Sequence, residues 1–543
     1  MRTRLLLALA AAILLAAAFV QMALASRFAS AVVDEPAHLT AGYLSLARGD
    51  RTINREHPPL IKDLAALPLL ALRPVLPAIE PGSPPPGSED FEFDYARRFL
   101  YRANDADRLL AAGRLPVMIL AVFLGAIVFV WAREVAGIAG ALAALALYAF
   151  EPNILAHGRL VTTDLGAAAF CLAALWTLRM ASRSGSMIAA SACGVLSGCA
   201  LLSKFSTLLL LPLGALLVIL DRAAAGAPPS DPAIPGARAR PSLPRLAAIG
   251  AVILAAAWLV LIAGYRFDGL PLPRLYLEGI DIARVKNATV EGPSYLLGAI
   301  SKDGFWSYYV VALLVKSPIP LLLLGGAGMV LGAARRTLRR EAIWIVVPAA
   351  AWIGAMTVLT RAQIGLRYVL PVTPLLCVAG GIAGAALLER PGRLRRGVLA
   401  ALLLWQAGAA ARIYPYHLAY FNEIAGGPSR GWRWLVDSNL DWGQDLVGLE
   451  RWLEERGSPP VNLFYFGTAD PDHYRIRRHP YGAARPGLFA ISATHLVGVY
   501  LPDRDYLSEF RALRPEARIG YSILVYRLDQ VPSRLTRPLT RPG

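Results

Sequence analysis

An acidic pair, Asp34 and Glu35, is followed by Pro36 and His38 in the stretch VVDEPAHLT. Proline suits the first turn of a helix and acidic side chains favour its N-terminus, so the stretch predicts a helix start. Asp34 and His38 are four residues apart and should share one face of that helix. A carboxylate beside an imidazole can take up a proton, although an N-capping acid with a solvated histidine would give the same pattern.

A second charged turn lies in the stretch NREHPPLIKDL, residues 54–64. Pro58 and Pro59 remove two backbone donors and stiffen the turn that carries Glu56 and His57. The apolar residues of LIKDLAALPLLALR then recur with helical spacing, which is typical of a helix in the membrane interface. The turn is expected to hold a carboxylate and an imidazole at the depth of the lipid headgroups, unless both are incidental to an interfacial anchor.

His157, Arg159 and Asp164 open a further apolar segment in EPNILAHGRLVTTDLGAAAF. His157 and Asp164 are seven residues apart, so they would share a face if one helix covered both. A carboxylate inside a membrane segment is costly and normally faces a polar cavity or a partner. Asp164 is therefore predicted to be functional, and a structural salt bridge to Arg159 is the alternative.

Three more cations, Lys204, Lys316 and Arg367, are expected near the same outer side of the membrane. A basic residue within a span usually serves an anion, pairs with a counter-ion or snorkels to the interface. Cations and carboxylates that converge on one face suit a phosphate-bearing lipid, because the cations hold the anion while a carboxylate accepts a proton.

Long apolar segments must position these residues. The chain has 543 residues, of which 56% are hydrophobic and 17% charged, and its mean hydropathy is +0.48. About 20 apolar residues cross a bilayer, so the pattern predicts a polytopic α-helical membrane protein. Eleven transmembrane helices are predicted, at about 5–25, 114–132, 136–150, 160–178, 187–203, 205–220, 246–264, 309–333, 342–359, 368–388 and 398–413.

The net charge of +17 reflects orientation rather than nucleic-acid binding. With the N-terminus inside, the inner loops are rich in arginine and the short outer loops are not. The segment 223–245, rich in Pro, Ala and Arg, then becomes an inner linker that is expected to be disordered. Two large loops, 26–113 and 265–308, and the tail from residue 413 face outward. The expected location is the cytoplasmic membrane, with the site on the periplasmic side.

The tail 413–543 is predicted to be a soluble α/β domain that follows a membrane domain of residues 1–412. Its residues 445–456 have the pattern of an amphipathic helix. Its aromatic and polar stretches suit sugar stacking, and they equally suit a compact domain resting on a membrane. The strands are predicted at VNLFYFG (461–467), LFAISA (488–493) and SILVYRL (522–528).

Taken together, DE after the first span, EHPPL, AHGRLVTTD, KSP and RYVLPVTP resemble motifs of the protein O-mannosyltransferase superfamily. This is glycosyltransferase family 39, with the bacterial aminoarabinose transferases that modify lipid A. The resemblance covers about residues 1–412 and implies the GT-C fold of integral-membrane glycosyltransferases. It implies that the chain moves a sugar from a polyprenyl phosphate, by inversion, to a protein, lipid or glycan acceptor.

The resemblance also implies roles for individual residues. Asp34 maps to the general base or acceptor-orienting acid, and Asp164 maps to the acid of the fourth span. Glu56 and His57 map to the motif beside the carrier phosphate, although many relatives have lysine at the position of His57. Some relatives bind a divalent cation near the glutamate, so a cation at Glu56 stays open and no other cofactor is expected.

The candidate site thus has two sets of residues. The catalytic set is Asp34, Glu35 and Asp164. The set for the donor phosphate and substrate is Glu56, His57, His157, Arg159, Lys204, Lys316 and Arg367.

Two other classes of protein remain open. A transporter or flippase of lipid-linked sugars would need charged residues along a path through the bilayer centre, whereas these cluster at one face. A non-catalytic membrane assembly factor would not need the set Asp34, Glu56 and Asp164. The sequence specifies neither the sugar nor the acceptor.

Overall fold

A computed structural model describes residues 2–80, 82–85, 88–225, 240–289, 292–361, 363–480 and 482–536; most of the predicted linker 223–245 lies outside these ranges. Helices dominate up to residue 413, as the apolar segments predict. They are α1 (Arg2–Ser26), α2 (Glu35–Arg48), α3 (Leu60–Leu72), α4 (Glu89–Arg97), α5 (Ala106–Ala149), α6 (Pro152–His157), α7 (Thr163–Ser184), α8 (Met187–Leu201), α9 (Leu210–Ala224), α10 (Leu243–Gly264), α11 (Arg274–Thr289), α12 (Tyr308–Lys316), α13 (Ile319–Ala334), α14 (Arg339–Leu359), α15 (Val372–Leu388) and α16 (Arg393–Ile413).

Each predicted span falls largely on helical segments, but the number of membrane crossings stays a prediction. Among the described residues, six helices are long and apolar enough to cross a membrane, or seven if α12 and α13 form one span. The predicted spans 114–132 and 136–150 both fall on α5, which is 44 residues long. Gly137 interrupts α5 with a φ of 67°, a conformation that glycine adopts without strain, so the two halves of α5 are distinct.

The predicted span 309–333 is not one continuous helix, because α12 and α13 meet at an angle of 118°, and its crossing of the membrane stays a prediction. Ser317 is extended (ψ 141°) and precedes Pro318, which lacks a backbone N–H and disfavours helical geometry in the residue before it. Lys316 ends α12, and its Nζ donates to the carbonyl oxygens of Leu418 (2.7 Å) and Asn439 (2.5 Å). Lys316 therefore joins the membrane helices to the C-terminal region.

The segment between α1 and α5 forms a small helical layer at one end of the bundle. Helix α2 packs along α3, and α3 packs against α5. Leu39 and Leu69 are fully buried between these helices, so the apolar face of α3 is used in packing within the protein. The layer fixes the N-terminus of α2 and the turn before α3 relative to the bundle.

The C-terminal region carries a mixed four-stranded sheet, as its alternating apolar residues predict. The strand order is β3-β4-β6-β5, with β3 parallel to β4 and the other pairs antiparallel. The three predicted strands and the predicted helix are confirmed, whereas β5 and the hairpin β1–β2 were too short to predict. The elements are β1 (Ser294–Leu296), β2 (Ala299–Ser301), β3 (Val461–Phe464), β4 (Gly487–Ser492), β5 (Ala517–Ile519), β6 (Ile523–Leu528), α17 (Leu446–Glu454), α18 (Ala493–Leu496) and α19 (Ser508–Arg511).

Among the described residues, the sheet has no hydrophobic core that is separate from the core of the helices. Phe489 of β4 and Phe510 of α19 belong to one continuous set of buried apolar residues that reaches Trp131 in α5. A domain boundary at residue 412/413 therefore stays a prediction.

The orientation of the helices can be tested with reporter fusions. We expect alkaline phosphatase fused at residue 430 to be active, and phosphatase fused within 223–245 to be inactive, because arginine-rich loops stay inside. Alkaline phosphatase folds only outside the cytoplasm. Its activity in whole cells therefore shows on which side of the membrane the fusion point lies. Cytoplasmic reporter fusions at the same two positions should give the opposite pattern; a reversed result from both reporters would place Asp34 in the cytoplasm.

Candidate active site

An ionic cluster joins residues that lie far apart in the sequence. Asp34, at the N-terminus of α2, accepts a hydrogen bond of 2.8 Å from Nη1 of Arg367. The same nitrogen lies 3.6 Å from a carboxylate oxygen of Asp164, in the first turn of α7. Asp164 is also paired with Lys204, which follows α8. Two acids and two cations of the predicted site are therefore in direct contact.

Arg367 is buried at the centre of this cluster. Burial opposes its charge, but Asp34 and Asp164 outweigh that effect and raise the pKa of Arg367 above its usual value. Its guanidinium carbon lies 4.3 Å from the ring centre of Trp442, and Lys204 Nζ lies 4.4 Å from the ring centre of Tyr368. These rings hold both cations by cation–π contact.

Two histidines lie beside Asp34. The rings of His38 and His57 meet edge to face, with their centres 4.8 Å apart. Polar atoms of His38, His57 and Asp34 lie within 4.8 Å of one another. Burial lowers the pKa of both imidazoles, so both are neutral at pH 7. The prediction that Asp34 and His38 share a helical face is confirmed.

The turn before α3 is held by a residue that we did not single out, Lys62. Its buried Nζ donates to the carbonyl oxygens of Asn54 (2.6 Å) and His57 (2.7 Å). Asn54 has a φ of 59°, and its backbone N–H donates to Glu92 of α4 at 3.0 Å. Lys62 and Glu92 fix the turn, which directs His57 towards His38.

Glu56 points away from His57. Its carboxylate lies 3.0 Å from Lys286 of α11, which also lies 3.0 Å from Glu89. Glu56 is 17% exposed, about as much as Asp34, but its partners Lys286 and Glu89 are 42% and 52% exposed. The neighbouring residues Glu56 and His57 therefore have different partners: Glu56 pairs with Lys286, and His57 packs against His38.

Glu35 has a different environment from its neighbour Asp34. Its fully buried carboxylate accepts hydrogen bonds of 2.8 and 2.6 Å from Arg114. It also accepts from the backbone N–H groups of Val32 (3.0 Å) and Val161 (2.9 Å). With four bonds to the protein, Glu35 anchors the start of α2 and has no free oxygen for a substrate.

The argument that one helix face carries both His157 and Asp164 is wrong. His157 ends α6 and Asp164 begins α7, with a turn between them. The two side chains nevertheless interact electrostatically across that turn. The His157 ring also lies beside the Trp442 ring, 6.2 Å between centres. Arg159 is not paired with Asp164 and instead donates to the carbonyl oxygen of Pro415 at 3.1 Å. Burial lowers the pKa of His157 to about 4.

A segment of the C-terminal region, residues 437–444, closes the cluster. The carbonyl oxygen of Trp442 accepts from the backbone N–H of Val33 at 3.0 Å, one residue before Asp34. The Asn439 side chain accepts from the backbone N–H of Leu366 at 2.9 Å, one residue before Arg367. The segment 437–444 therefore holds both halves of the Asp34–Arg367 pair.

Asp437 lies at the start of this segment. Its carboxylate accepts a hydrogen bond of 2.5 Å from the hydroxyl of Tyr500. Burial raises the pKa of Asp437 to about 6. The stretch VDSNLDWGQD (436–445) is rich in acidic residues, but nothing in the sequence links Trp442 or Asp437 to Arg367. Such links become visible only when the chain is folded.

The fold and one segment of the chain match known proteins. Residues 106–226 match the family model described as dolichyl-phosphate-mannose-protein mannosyltransferase. The structure superposes on ArnT from Cupriavidus metallidurans bound to undecaprenyl phosphate with a TM-score of 0.51 and 13% identity, covering 97% of this chain and 99% of that one. The comparison with curated proteins gives no match.

Two further structures are similar at lower scores. Apo ArnT from the same organism gives a TM-score of 0.45 at 14% identity, covering 97% of this chain and 98% of that one. The oligosaccharyltransferase of Archaeoglobus fulgidus, tethered to an acceptor peptide, gives 0.43 at 13% identity, covering 74% and 55%.

The chain has the GT-C fold, the fold of integral-membrane glycosyltransferases, and it is a multi-pass membrane protein. The predicted resemblance to the protein O-mannosyltransferase superfamily is confirmed by the matched segment together with this fold.

Proposed function

We propose that the chain is a glycosyltransferase that moves a sugar from a polyprenyl phosphate to an acceptor at the outer face of the cytoplasmic membrane. The observation that carries this proposal is the contact of Asp34 with Arg367 and, through it, with Asp164 and Lys204. It combines a partly exposed carboxylate with one buried cation, Arg367, and one partly buried cation, Lys204. That is the chemistry needed to activate a hydroxyl and to stabilise a departing phosphate.

The reaction is a single displacement at the anomeric carbon. The acceptor oxygen forms a bond to that carbon while the bond to the phosphate oxygen breaks, and the configuration inverts. The acceptor proton goes to Asp34, and the polyprenyl phosphate leaves as an anion. Asp34 is 18% exposed, and its Oδ2 is paired with Arg367 while nothing among the described residues hydrogen-bonds to Oδ1. Asp34 therefore has an oxygen that can accept the proton.

The donor phosphate would lie against Arg367 and Lys204. In this assignment Asp164 keeps both cations in place, and His57 and His157 border the phosphate. The solved neighbour with undecaprenyl phosphate supports this class of donor, because its fold extends over nearly the whole chain. Glu56 and Lys286 would line the side from which the acceptor approaches. Glu35, Arg159 and Lys316 would position backbone and would not touch the substrate.

Transfer by the purified protein tests the proposal directly. The full chain in lipid nanodiscs is mixed with synthetic polyprenyl-phosphate sugars and with lipid, peptide and glycan acceptors. We expect release of polyprenyl phosphate together with a glycosylated product of inverted configuration. Movement of the intact donor across proteoliposomes without product would favour the flippase, and neither activity with any donor would contradict the proposal.

Replacing Arg367 with alanine should weaken donor binding. A hydrogen bond to a charged group contributes about 1.5–3 kcal/mol, so we expect the KM for the donor to rise about 10- to 150-fold. Arg361, an exposed arginine of the same region, provides the control through Arg361→Ala. Unchanged donor KM and kcat in Arg367→Ala would remove Arg367 from the phosphate site.

Replacing Trp442 with leucine should slow transfer, because the ring holds Arg367. A desolvated cation–π contact contributes about 0.5–2 kcal/mol, so kcat/KM should fall about 2- to 30-fold and Trp442→Phe should recover part of the loss. Trp432 contacts Arg433 in a comparable way at 5.3 Å, so Trp432→Leu is a matched control. Equal losses in both leucine variants would indicate a general effect on folding.

A further inference from the structure

Asp34, His38 and His57 bring one carboxylate and two imidazoles together, and they are drawn from two separate elements. Their polar atoms lie within 4.8 Å of one another, and His38 is 1% exposed. His57 belongs to the rigid turn before α3, whereas Asp34 and His38 belong to the first turn of α2. Two histidines and one carboxylate form a common ligand set for zinc at sites that keep one position open.

The hydrogen bonding of His38 prepares one nitrogen for an ion. Nδ1 lies 2.9 Å from the carbonyl oxygen of Val161, which can only accept, so we assign the ring hydrogen to Nδ1. Nε2 then carries a lone pair, and this buried atom has no hydrogen-bond partner among the described residues. A metal-binding histidine typically donates its other ring N–H to a carbonyl or carboxylate in this way.

The backbone that carries the second histidine, His57, is held in place. The carbonyl oxygen of His57 accepts from buried Lys62, and Pro58 and Pro59 follow it. Ligands about 2.0–2.2 Å from zinc lie roughly 3.3 Å apart around a tetrahedron, so the widest pair must close by about 1.5 Å. Rotation of the His57 and Asp34 side chains, whose backbone stays in place, would have to supply that movement.

The surrounding charges limit the affinity but leave the imidazoles ready to bind. Lys62, Lys204 and Arg367 all act on His57 and would repel a dication, whereas Asp34 and Glu56 act on His38 and would attract it. Arg367 and Lys204 are already paired with carboxylates. Asp34 uses Oδ2 for Arg367, so Oδ1 can bind an ion without breaking that pair.

We infer that Asp34, His38 and His57 form a binding site for a divalent transition-metal ion of the zinc class, with a fourth position left for water or substrate. The site differs from a cation at Glu56, because that carboxylate is paired with Lys286. Oδ1 of Asp34 is also the oxygen that we assign to the acceptor proton, so an ion held there would inhibit the proposed glycosyl transfer. The inference concerns binding of the ion, and a measurement of binding tests it separately from transfer.

Metal binding by the purified full chain tests the site. The protein carries a tag without histidine, is stripped with a chelator, and is titrated with Zn²⁺ or with Co²⁺, whose absorption bands report the coordination. We expect one ion per chain in the wild type. His38→Ala and His57→Ala should each weaken binding at least about tenfold. His38→Gln can still donate to Val161 and serves if the alanine variant does not fold.

Two controls separate this site from other sites on the chain. Glu56→Gln should keep one bound ion per chain and should weaken binding less than either histidine variant does. His473→Ala, which removes a partly exposed histidine beside Asp107, should bind the ion as the wild type does. Loss of the ion in Glu56→Gln, retention of wild-type affinity in both His38 and His57 variants, or no stoichiometric ion in the wild type would each overturn the inference. Loss in His473→Ala alone would show surface binding and would overturn it too.

Discussion

Asp34→Asn should insert, fold and bind the donor while its turnover falls by about 10²–10⁴, the usual contribution of a positioned general base. Asparagine has nearly the shape of aspartate and can still accept a hydrogen bond from Arg367, but it cannot take up the acceptor proton. Arg367 keeps a second carboxylate, Asp164, at 3.6 Å. The neutral variant therefore does not leave Arg367 without a counter-ion.

The measurement is single-turnover transfer from a polyprenyl-phosphate sugar, together with donor affinity and melting temperature. Asp281→Asn removes an exposed carboxylate on α11 and should change none of the three. Turnover of Asp34→Asn close to the wild type would exclude Asp34 as the base. Asp164 would then be the next carboxylate to test.

Glu35→Ala should have the opposite effect, a large loss of stability. Removing one partner of a buried ion pair typically costs about 3–5 kcal/mol, because the other charge stays buried without compensation. Arg114 is 3% exposed and Glu35 is fully buried. The variant also leaves the N–H groups of Val32 and Val161 without their acceptor. We therefore expect low expression and a much lower melting temperature.

Denaturant titration in mixed micelles measures this loss. Glu278→Ala removes an acid that is 40% exposed and paired with Arg55, and it should cost at most about 1 kcal/mol. If Glu35→Ala were as stable as Glu278→Ala but inactive, Glu35 would belong to the reacting groups and our assignment of it as an anchor would be wrong.

Local sequence patterns predicted the parts of the site that depend on spacing within one element. Asp34 and His38 share a face because four residues make about one helical turn. The stiff turn at Pro58 and Pro59 also precedes a helix as predicted. In contrast, the sequence could not predict that both carboxylate oxygens of Glu35 bind Arg114 while Asp34 stays partly exposed. That difference depends on a contact across 79 residues.

Contacts between residues far apart in the sequence account for the other differences between the predicted site and the structure. Arg367 meets Asp34 across 333 residues, and no periodic pattern encodes such a contact. Lys316 looked like a cation for the substrate, yet its ammonium group is used by two backbone carbonyl groups. The bend before Pro318 was the one feature with a local signal, since SPIP contains two prolines that disfavour a continuous helix.

Hydrogen bonds between residues 30–33 and residues 442–444 mean that this site cannot be completed until the C-terminal region has been synthesised. Ser30 and Gly443 are 413 positions apart, so at about 5–20 residues per second the first waits roughly 20–80 s for the second. During that interval the membrane helices can already be inserted, but Asp34 lacks the segment 437–444 that orients it. Each new molecule therefore passes through an unassembled, inactive stage, and a ribosome that stalls before Asn439 leaves an inert product in the membrane.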